Sequence, residues 1–306
     1  MKIAFFSSGS FGLPILEHLV NDGHDVTLIT KSDTVAGRGL HIKACPPASL
    51  AEQLCVPTYK VNTLKGDFIE WYKMQDFYLS VVVDFGFFIP KSIFSLERPI
   101  MVNIHPSLLP KYRGPNPIRR ALWNGDSVTG VSLIKVASKM DEGDIYLQER
   151  LNIEPEDDFL SLTNKLQKLS MKLLDQFISK IQFEIPSSVP QSGEASYAPK
   201  FDADEEWINW HRSASAISNQ VRALADVGAK TTYDGKLMKV YQARENAVPL
   251  DKVLIPGHFL VYGKQLFVGT GNGVLEILSL QLEGRKKQET SSFVVGIRQK
   301  EGVFGD

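Results

Sequence analysis

Short apolar runs alternate with helical patterns through the first half of the chain. The clearest strand candidates are residues 3–6, 26–29, 79–83 and 101–104. Strands that alternate with helices are typical of a mostly parallel sheet covered by helices on its faces. The pattern therefore predicts an α/β first domain of the Rossmann-like kind.

Two helices are predicted in this first domain. The first lies between the first two strands, with Leu16, Leu19 and Val20 on its apolar face and Ser10 placed to cap its N-terminus. The second begins near Asp157 and repeats apolar residues at three- and four-residue steps. Its stripe is expected to close the first domain and contains Leu162, Leu166, Leu169, Leu173 and Phe177.

The second half has a different pattern. Residues 186–193 hold proline, serine and glycine without an apolar period, which indicates an extended linker. A short helix with Ile217, Val221 and Leu224 follows, and then come strand-like runs separated by Gly-rich turns. We predict a catalytic domain over residues 1–185, a linker over 186–200 and a small barrel of the oligonucleotide-binding type over 201–306. The strand-like runs are residues 237–241, 258–261, 265–268 and 274–280.

Composition narrows the class of protein. The 306 residues are 43% hydrophobic, enough for a large core, and the net charge of -1 argues against a protein that coats nucleic acid nonspecifically. Cys45 and Cys55 are too few for a disulfide framework and lack zinc-site spacing. No run of about 18 uncharged apolar residues indicates a membrane span, and the first residues lead directly into a strand. We expect a cytoplasmic protein without a cleaved targeting segment.

Candidate chemistry lies where the strand over residues 101–104 ends. Asn103 and His105 stand at alternate positions, so their side chains should face the same way. In an open parallel sheet, ligands bind outside the carboxyl ends of the strands, where this pair would emerge. An isolated Asn or His would be interpreted as a turn residue, but here a long specific motif surrounds both.

That motif runs through residues 103–118 as NIHPSLLPKYRGPNPI and is followed by MDEGD at residues 140–144. With the AGRG loop at residues 36–39 and the segment 273–286, it resembles the folate-dependent formyltransferase family. The resemblance covers nearly the whole chain. It implies Asn103, His105 and Asp141 as the catalytic residues.

The chemistry explains these residue types. Formyl transfer between amines passes through a tetrahedral intermediate that bears an oxyanion. The Asn103 amide and the His105 imidazole could donate hydrogen bonds to that charge, each contributing on the order of a hundredfold in rate. Asp141 could accept the proton that the attacking amine loses. Asp141 alone would be interpreted as a turn residue, because Asp-Glu-Gly-Asp is also good turn chemistry.

The resemblance also implies a binding site for the formyl donor, 10-formyltetrahydrofolate. The pterin would lie against the loop over residues 83–90, where an apolar slot suits a flat heterocycle. Asp84 departs from the family, which more often has a small residue there. The implied folate contacts are Phe85, Gly86, Phe87, Ser107, Leu108, Leu109 and Pro110.

The acceptor implied by the resemblance is methionine carried by initiator tRNA. Candidate tRNA contacts are Arg38 and Lys43 in an early Gly-containing loop, interpreted as a flexible cationic segment, and Arg285 and Lys286 near the end of the barrel. On composition alone, both groups would be interpreted as solvated surface residues. An amino sugar or a purine precursor remains an alternative acceptor, since formyltransferases for these would share the catalytic residues.

Two other classes of protein are weaker hypotheses. A nicotinamide-dependent oxidoreductase fits the β-α-β start, but residues 8–12 lack the full G-x-G-x-x-G spacing. A noncatalytic RNA-binding module would leave Asn103, His105 and Asp141 unexplained. The remaining histidines show no metal-ligand spacing, so we expect no metal, and we expect a monomer.

Overall fold

The computed structural model describes residues 1–36, 41–246, 253–297 and 299–305, apart from the side chains of residues 34–36 and 41–43. The chain forms two compact units. The first contains Met1–Pro117, Val128–Asn152 and Thr163–Ala198, and the second contains Ile118–Ser127, Ile153–Leu162 and Pro199–Asp306.

The elements of the first part of the chain alternate between strand and helix. In chain order they are β1 (Lys2–Phe6), a 3-10 turn (Ser10–Gly12), α1 (Leu13–Asn21), β2 (Asp25–Lys31), β3 (Thr34–Ala36), β4 (His41–Lys43), α2 (Pro46–Gln53), β5 (Thr58–Val61), α3 (Asp67–Met74), β6 (Leu79–Val82), α4 (Lys91–Phe94), β7 (Ile100–His105), α5 (Pro117–Asn124), β8 (Val128–Lys135), β9 (Ile145–Asn152) and α6 (Phe159–Ile181).

The later elements are mostly strands. They are a 3-10 turn (Ala203–Glu206), α7 (Ala214–Ala223), β10 (Ala229–Tyr233), β11 (Lys236–Asn246), β12 (His258–Tyr262), β13 (Gln265–Gly269), β14 (Val274–Leu282), β15 (Gln288–Glu289), α8 (Thr290–Phe293) and β16 (Glu301–Val303).

The first unit is built on a seven-stranded sheet in the order β5-β2-β1-β6-β7-β8-β9. The five strands from β5 to β7 are parallel, β8 runs antiparallel to β7, and β9 runs antiparallel to β8 and so in the direction of the first five. Residues 3–6 and 79–82 are buried throughout, as expected for strands covered on both faces. All four predicted strands of this sheet are confirmed, and so is its mostly parallel character.

The strand order reverses between β1 and β6. The chain passes from β1 outward through β2 to β5, then returns to the other side of β1 with β6 and continues to β7. Ligands of open α/β sheets bind beyond the carboxyl ends of the strands near such a point. The loops that follow β1, β6 and β7 therefore lie where a site is expected.

Helix α1 begins later than predicted. Ser10 starts a short 3-10 turn instead of capping the helix, and the N-cap of α1 is Gly12, which has no capping side chain. Pro14 explains the start, because its missing N–H and fixed φ suit the first helical turn. The prediction that Ser10 caps this helix was wrong.

Helix α6 confirms the long apolar stripe. Leu162, Leu166, Leu173 and Phe177 on this helix are essentially buried. The backbone N–H groups of Leu160 and Ser161 donate to the carboxylate of Asp158, which caps the start of the helix.

The early loop contains a hairpin. β3 and β4 pair antiparallel, with Thr34 opposite Lys43 and Ala36 opposite His41. The sequence predicts only a flexible cationic segment here, so the two short strands are a finding of the structure. Residues 37–40, which join them, lie outside the described residues.

The second unit contains the antiparallel sheet predicted for the C-terminal half. Its strands follow the order β10-β11-β14-β13-β12-β16, with β15 paired to β14, and curl into a half-barrel. Helix α7 packs Ile217 and Val221 into its core, together with Trp210, Phe259 and Phe304. The four predicted strands and the predicted helix of this unit are present.

Within the second unit, α5 is held by ion pairs. The guanidinium group of Arg119 donates two hydrogen bonds to the carboxylate of Asp226. The guanidinium group of Arg120 donates two to the carboxylate of Glu205. Hydrogen bonding to Arg120 holds the pKa of Glu205 below its ordinary value of 4.5. The stability that this pair contributes is therefore present above that value and is lost as the pH falls below it.

We expect Glu205→Gln to lower the free energy of unfolding by about 1 kcal/mol at neutral pH. The difference from the wild type should shrink as the pH is lowered from neutral toward about 3, because protonation of Glu205 removes the charge that Arg120 holds. Urea unfolding at both pH values measures it, with the exposed Glu194→Gln as the matched control. A deficit that stays constant with pH would contradict the role of the ion pair.

Two findings concern the chain as a whole. Cys45 is buried and Cys55 is exposed, and both are free thiols. Among the helices of the described residues, none combines the length and the apolar character needed to cross a bilayer.

Candidate active site

The structure brings Asn103, His105 and Asp141 together. Asn103 and His105 lie on β7, and Asp141 lies in the loop between β8 and β9. The Asn103 amide donates to Asp141 Oδ1 at 3.2 Å, and His105 Nδ1 lies 3.6 Å from the same oxygen. The side chains of His105 and Asp141 are only 6% and 8% exposed, so their interactions are weakly screened by water.

The orientation of His105 is set by its backbone partner. Its Nε2 lies 2.8 Å from the carbonyl oxygen of Tyr112. A carbonyl only accepts, so Nε2 carries a proton in both charge states of the ring. Nδ1, the ring nitrogen that faces Asp141, is therefore the atom that can gain or lose a proton.

The Asp141 carboxylate is held at both of its oxygens. Oδ1 accepts from Asn103, and Oδ2 accepts from the backbone N–H of Gly114 at 2.8 Å. Asp141 itself has φ of 56°, in the left-handed region that L-residues rarely occupy. Strained backbone of this kind persists where the surroundings determine it, as they commonly do at active sites.

The turn after β7 is shaped by a polar network of side-chain and backbone groups. Ser107 Oγ donates to the carbonyl of Lys111 at 2.6 Å, and so serves its own turn. Ser132 Oγ donates to the carbonyl of Ser107 and accepts from the N–H of Leu109. Gln148 donates to both Ser132 and the carbonyl of Leu109. Ser132 and Gln148 were not predicted from the sequence, since single polar residues in β8 and β9 carry no motif.

Of the implied folate contacts in this turn, Leu109 and Pro110 are buried and Leu108 is half-buried. Gly130 on β8 makes room for Leu108, because a Cβ there would lie 2.5 Å from the leucine side chain.

Hydrogen bonds join the loop after β6 to the loop after β1. Gly86 donates its N–H to Ser8 Oγ at 2.9 Å, and the N–H groups of Ser8 and Gly9 donate to the carbonyl of Asp84. Phe85 and Phe87 are partly buried against the core, with Phe85 edge-on to Phe6 at 5.4 Å. Phe88 is 62% exposed in the same loop, so the loop presents an apolar aromatic surface.

Asp84 is accommodated by a glycine. A Cβ on Gly9 would lie 1.7 Å from Asp84 Oδ2, so any other residue at position 9 would displace this carboxylate. The carboxylate accepts a long hydrogen bond from the N–H of Phe11. Partial removal from water raises the pKa of the Asp84 carboxyl above its ordinary value.

Of the four candidate tRNA contacts, Arg285 and Lys286 have described side chains, and Arg38 and Lys43 do not. Arg38 lies outside the described residues, and Lys43 ends β4 with a side chain that is not described. Arg285 and Lys286 are exposed in the turn after β14. The next residue, Lys287, places its ammonium 4.4 Å from the ring centre of Tyr241, which orients this basic turn.

One group of potential metal ligands lies on the first unit. His18, Asp22 and Asp175 have ligand atoms within 4.8 Å of one another, and His18 Nε2 lies 2.8 Å from Asp175 Oδ1. Such ion pairs are common at protein surfaces without a metal. The expectation of a metal-free protein stays a prediction.

Comparison with known proteins identifies the class of protein to which this fold and site correspond. Residues 1–178 match the formyl transferase family model, and residues 200–298 match the model of the formyl transferase C-terminal domain. The chain belongs to the formyl transferase family.

Two full-length relatives within that family are methionyl-tRNA formyltransferases. One from Coprothermobacter proteolyticus is 59% identical over 305 residues and covers 100% of both chains. Another, from Koribacter versatilis, is 35% identical over 306 residues, with 97% of this chain and 96% of that one covered. The chain is thus a member of the methionyl-tRNA formyltransferase group.

A solved structure shares the fold. The N-formyltransferase from Helicobacter canadensis, in complex with folinic acid and dTDP-3-aminofucose, aligns with 94% of this chain and 100% of its own. The TM-score is 0.67 at 17% identity. At this identity the likeness concerns the fold alone.

Proposed function

We propose that this protein transfers the formyl group of 10-formyltetrahydrofolate to the α-amino group of methionine on initiator tRNA, at Asn103, His105 and Asp141. The observation that supports the proposal most strongly is the convergence of these three polar side chains, with one carboxylate between an amide and an imidazole. Membership of the methionyl-tRNA formyltransferase group supports this acceptor.

Each residue is assigned a role that fits its surroundings. As the amine attacks the formyl carbon, negative charge develops on the formyl oxygen, and the Asn103 amide donates to it. A proton on His105 Nδ1 is the second donor available at this position, because Nε2 is committed to Tyr112. Asp141 accepts the proton lost by the attacking nitrogen, directly or through water.

The formyl donor is assigned to the surface formed by the loop after β6 and the turn after β7. The aromatic side chains of Phe85, Phe87 and Phe88 and the backbone groups near Gly86 suit a flat heterocycle with polar edges. When bound, the folate supplies the formyl carbon and takes up a proton as the carbon–nitrogen bond to it breaks. The buried turn network through Ser132 keeps Leu108 and Leu109 in place beside it.

The decisive experiment is a formylation assay. The protein is incubated with 10-formyltetrahydrofolate and methionyl initiator tRNA, and the esterified amino acid is recovered and tested for an N-formyl group. Methionyl elongator tRNA, an amino-sugar nucleotide and glycinamide ribonucleotide are parallel acceptors. Formylation of a sugar or purine precursor, without formylation of charged tRNA, would contradict the proposed acceptor.

We assign the basic turn at Arg285 and Lys286 to the tRNA phosphates, together with Arg38 and Lys43. The double variant Arg285→Ala/Lys286→Ala is expected to raise the KM for tRNA, leave kcat nearly unchanged and reduce the salt dependence of kcat/KM. Each lost phosphate contact should lower the slope against log salt by about 1. Lys264→Ala, an exposed lysine in the turn between β12 and β13, is the matched control. An unchanged salt slope in the double variant would place the tRNA elsewhere.

We propose that the chain acts in the cytoplasm and as a monomer. Light scattering at the concentration of the assay tests the monomer.

A further inference from the structure

The segment that follows α6 reaches back to the catalytic loop. The side-chain amide of Gln191 donates to the carbonyl of Asp141 at 2.7 Å and to the carbonyl of Gly143 at 2.9 Å. Its oxygen accepts two hydrogen bonds from the Arg113 guanidinium, at 2.8 and 3.2 Å. One side chain therefore connects three segments of the first unit.

These contacts close a ring of hydrogen bonds around Asp141. The Asp141 carboxylate accepts from the N–H of Gly114, the residue after Arg113. Arg113 donates to Gln191, and Gln191 donates to the Asp141 backbone. Arg113 Nη1 also pairs with Glu142 at 3.0 Å, and so holds the same loop from a second direction.

Backbone hydrogen bonds hold Arg113 and the segment that carries Gln191 in place. Arg113 donates its N–H to the carbonyl of Ser196 and accepts from the N–H of Ala198. Val189 pairs with Ile145 at the start of β9 through hydrogen bonds in both directions. Gln191 lies between these anchors, so its amide is presented to the loop by a fixed strand-like segment.

We propose that Gln191 is a positioning residue that keeps Asp141 in its left-handed conformation and aims its carboxylate at Asn103 and His105. A carbonyl belongs to the same rigid peptide unit as the neighbouring Cα, so holding the carbonyls of residues 141 and 143 limits the directions open to the Asp141 side chain. This inference rests on the proposed catalytic role of Asp141.

The test compares Gln191→Ala in two backgrounds. In the wild-type background, kcat is expected to fall by about tenfold to a hundredfold, with the KM values for both substrates nearly unchanged. In the Asp141→Asn background, the same replacement should lower the residual rate by no more than about twofold, because the group that it positions is gone. A purely structural role would reduce the rate by the same factor in both backgrounds.

Gln191→Glu keeps the size of the side chain and the acceptor for Arg113, but turns an oxygen toward the two carbonyl oxygens. It is expected to lower kcat at least as far as Gln191→Ala, and it carries the test if the alanine variant does not fold. Gln182→Ala and Gln182→Glu, at an exposed glutamine just after α6, are the matched controls and should retain wild-type kcat.

The outcomes separate this inference from the proposed function. Wild-type kcat in both Gln191 variants, or equal losses in both backgrounds, would overturn the positioning role while Asp141 keeps its own. Wild-type kcat in Asp141→Asn alone would overturn the proposed chemistry and the positioning role with it.

Discussion

Replacement of Asp141 by asparagine is expected to lower kcat for formyl transfer by about 10²–10⁴-fold. The change removes the group that accepts the proton of the attacking amine. It also places an amide N–H₂ beside either Asn103 or the N–H of Gly114, because each carboxylate oxygen now accepts from one of these donors. Single-turnover measurement with both substrates saturating reports the chemical step directly.

Asp144→Asn is the matched control for this replacement. Asp144 lies in the same loop, but its carboxylate is 42% exposed and pairs loosely with Lys135 at 3.8 Å. We expect near wild-type kcat for this variant and unchanged urea unfolding for both. If Asp141→Asn retains the wild-type single-turnover rate, Asp141 is not the proton acceptor.

The fold of the first unit followed from local pattern. Residues 3–6 and 79–82 are apolar runs of strand length, and strands buried on both faces have that composition. The stripe of α6 was equally clear, since it repeats over about four turns. The strands β8 and β9 were not predicted. In β9, polar residues at alternate positions form one exposed face, so it lacks the continuous apolar run that marked the other strands.

The site was predicted only where residues form a contiguous motif. Asn103 and His105 could be paired from their alternate positions on one strand, and Asp141 was joined to them through the family resemblance. Their geometry follows from longer-range contacts. The carbonyl of Tyr112 that orients His105, and the N–H of Gly114 that holds Asp141, are backbone groups without any sequence signal.

Gln191 shows most directly what could not be predicted from the sequence. Residues 186–193 have no apolar period, and that composition is typical of a linker. The same composition leaves a side-chain amide available to bond backbone carbonyls, as Gln191 does at Asp141 and Gly143. Composition indicates that a segment is solvated, but it does not indicate which distant backbone groups the segment contacts. The hydrogen bonds of Gln191 to the catalytic loop could therefore be found only in the structure.

The second large effect is expected at Gly143, where the backbone of the catalytic loop meets the end of β8. A Cβ at this position would lie 1.8 Å from the carbonyl oxygen of Lys135, and real Cβ contacts are essentially never below 3.0 Å. The N–H of Lys135 also donates to the carbonyl of Asp144, and this hydrogen bond joins the loop to the end of β8. Gly143→Ala therefore has to push the loop away from β8, because the Lys135 carbonyl is part of the backbone and cannot rotate aside.

A displacement of about 1 Å at a reacting group costs on the order of a hundredfold in rate, so Gly143→Ala should lower kcat by at least that factor. The protein should remain folded, since the clash is confined to a loop outside the cores of both units. Gly296→Ala, where a Cβ would meet only the carbonyl oxygen of Phe293 at an ordinary 3.6 Å, controls for the added methyl group. If the Gly143→Ala protein keeps wild-type kcat, the position of this loop does not control the chemistry, and the case for Asp141 as the proton acceptor weakens with it.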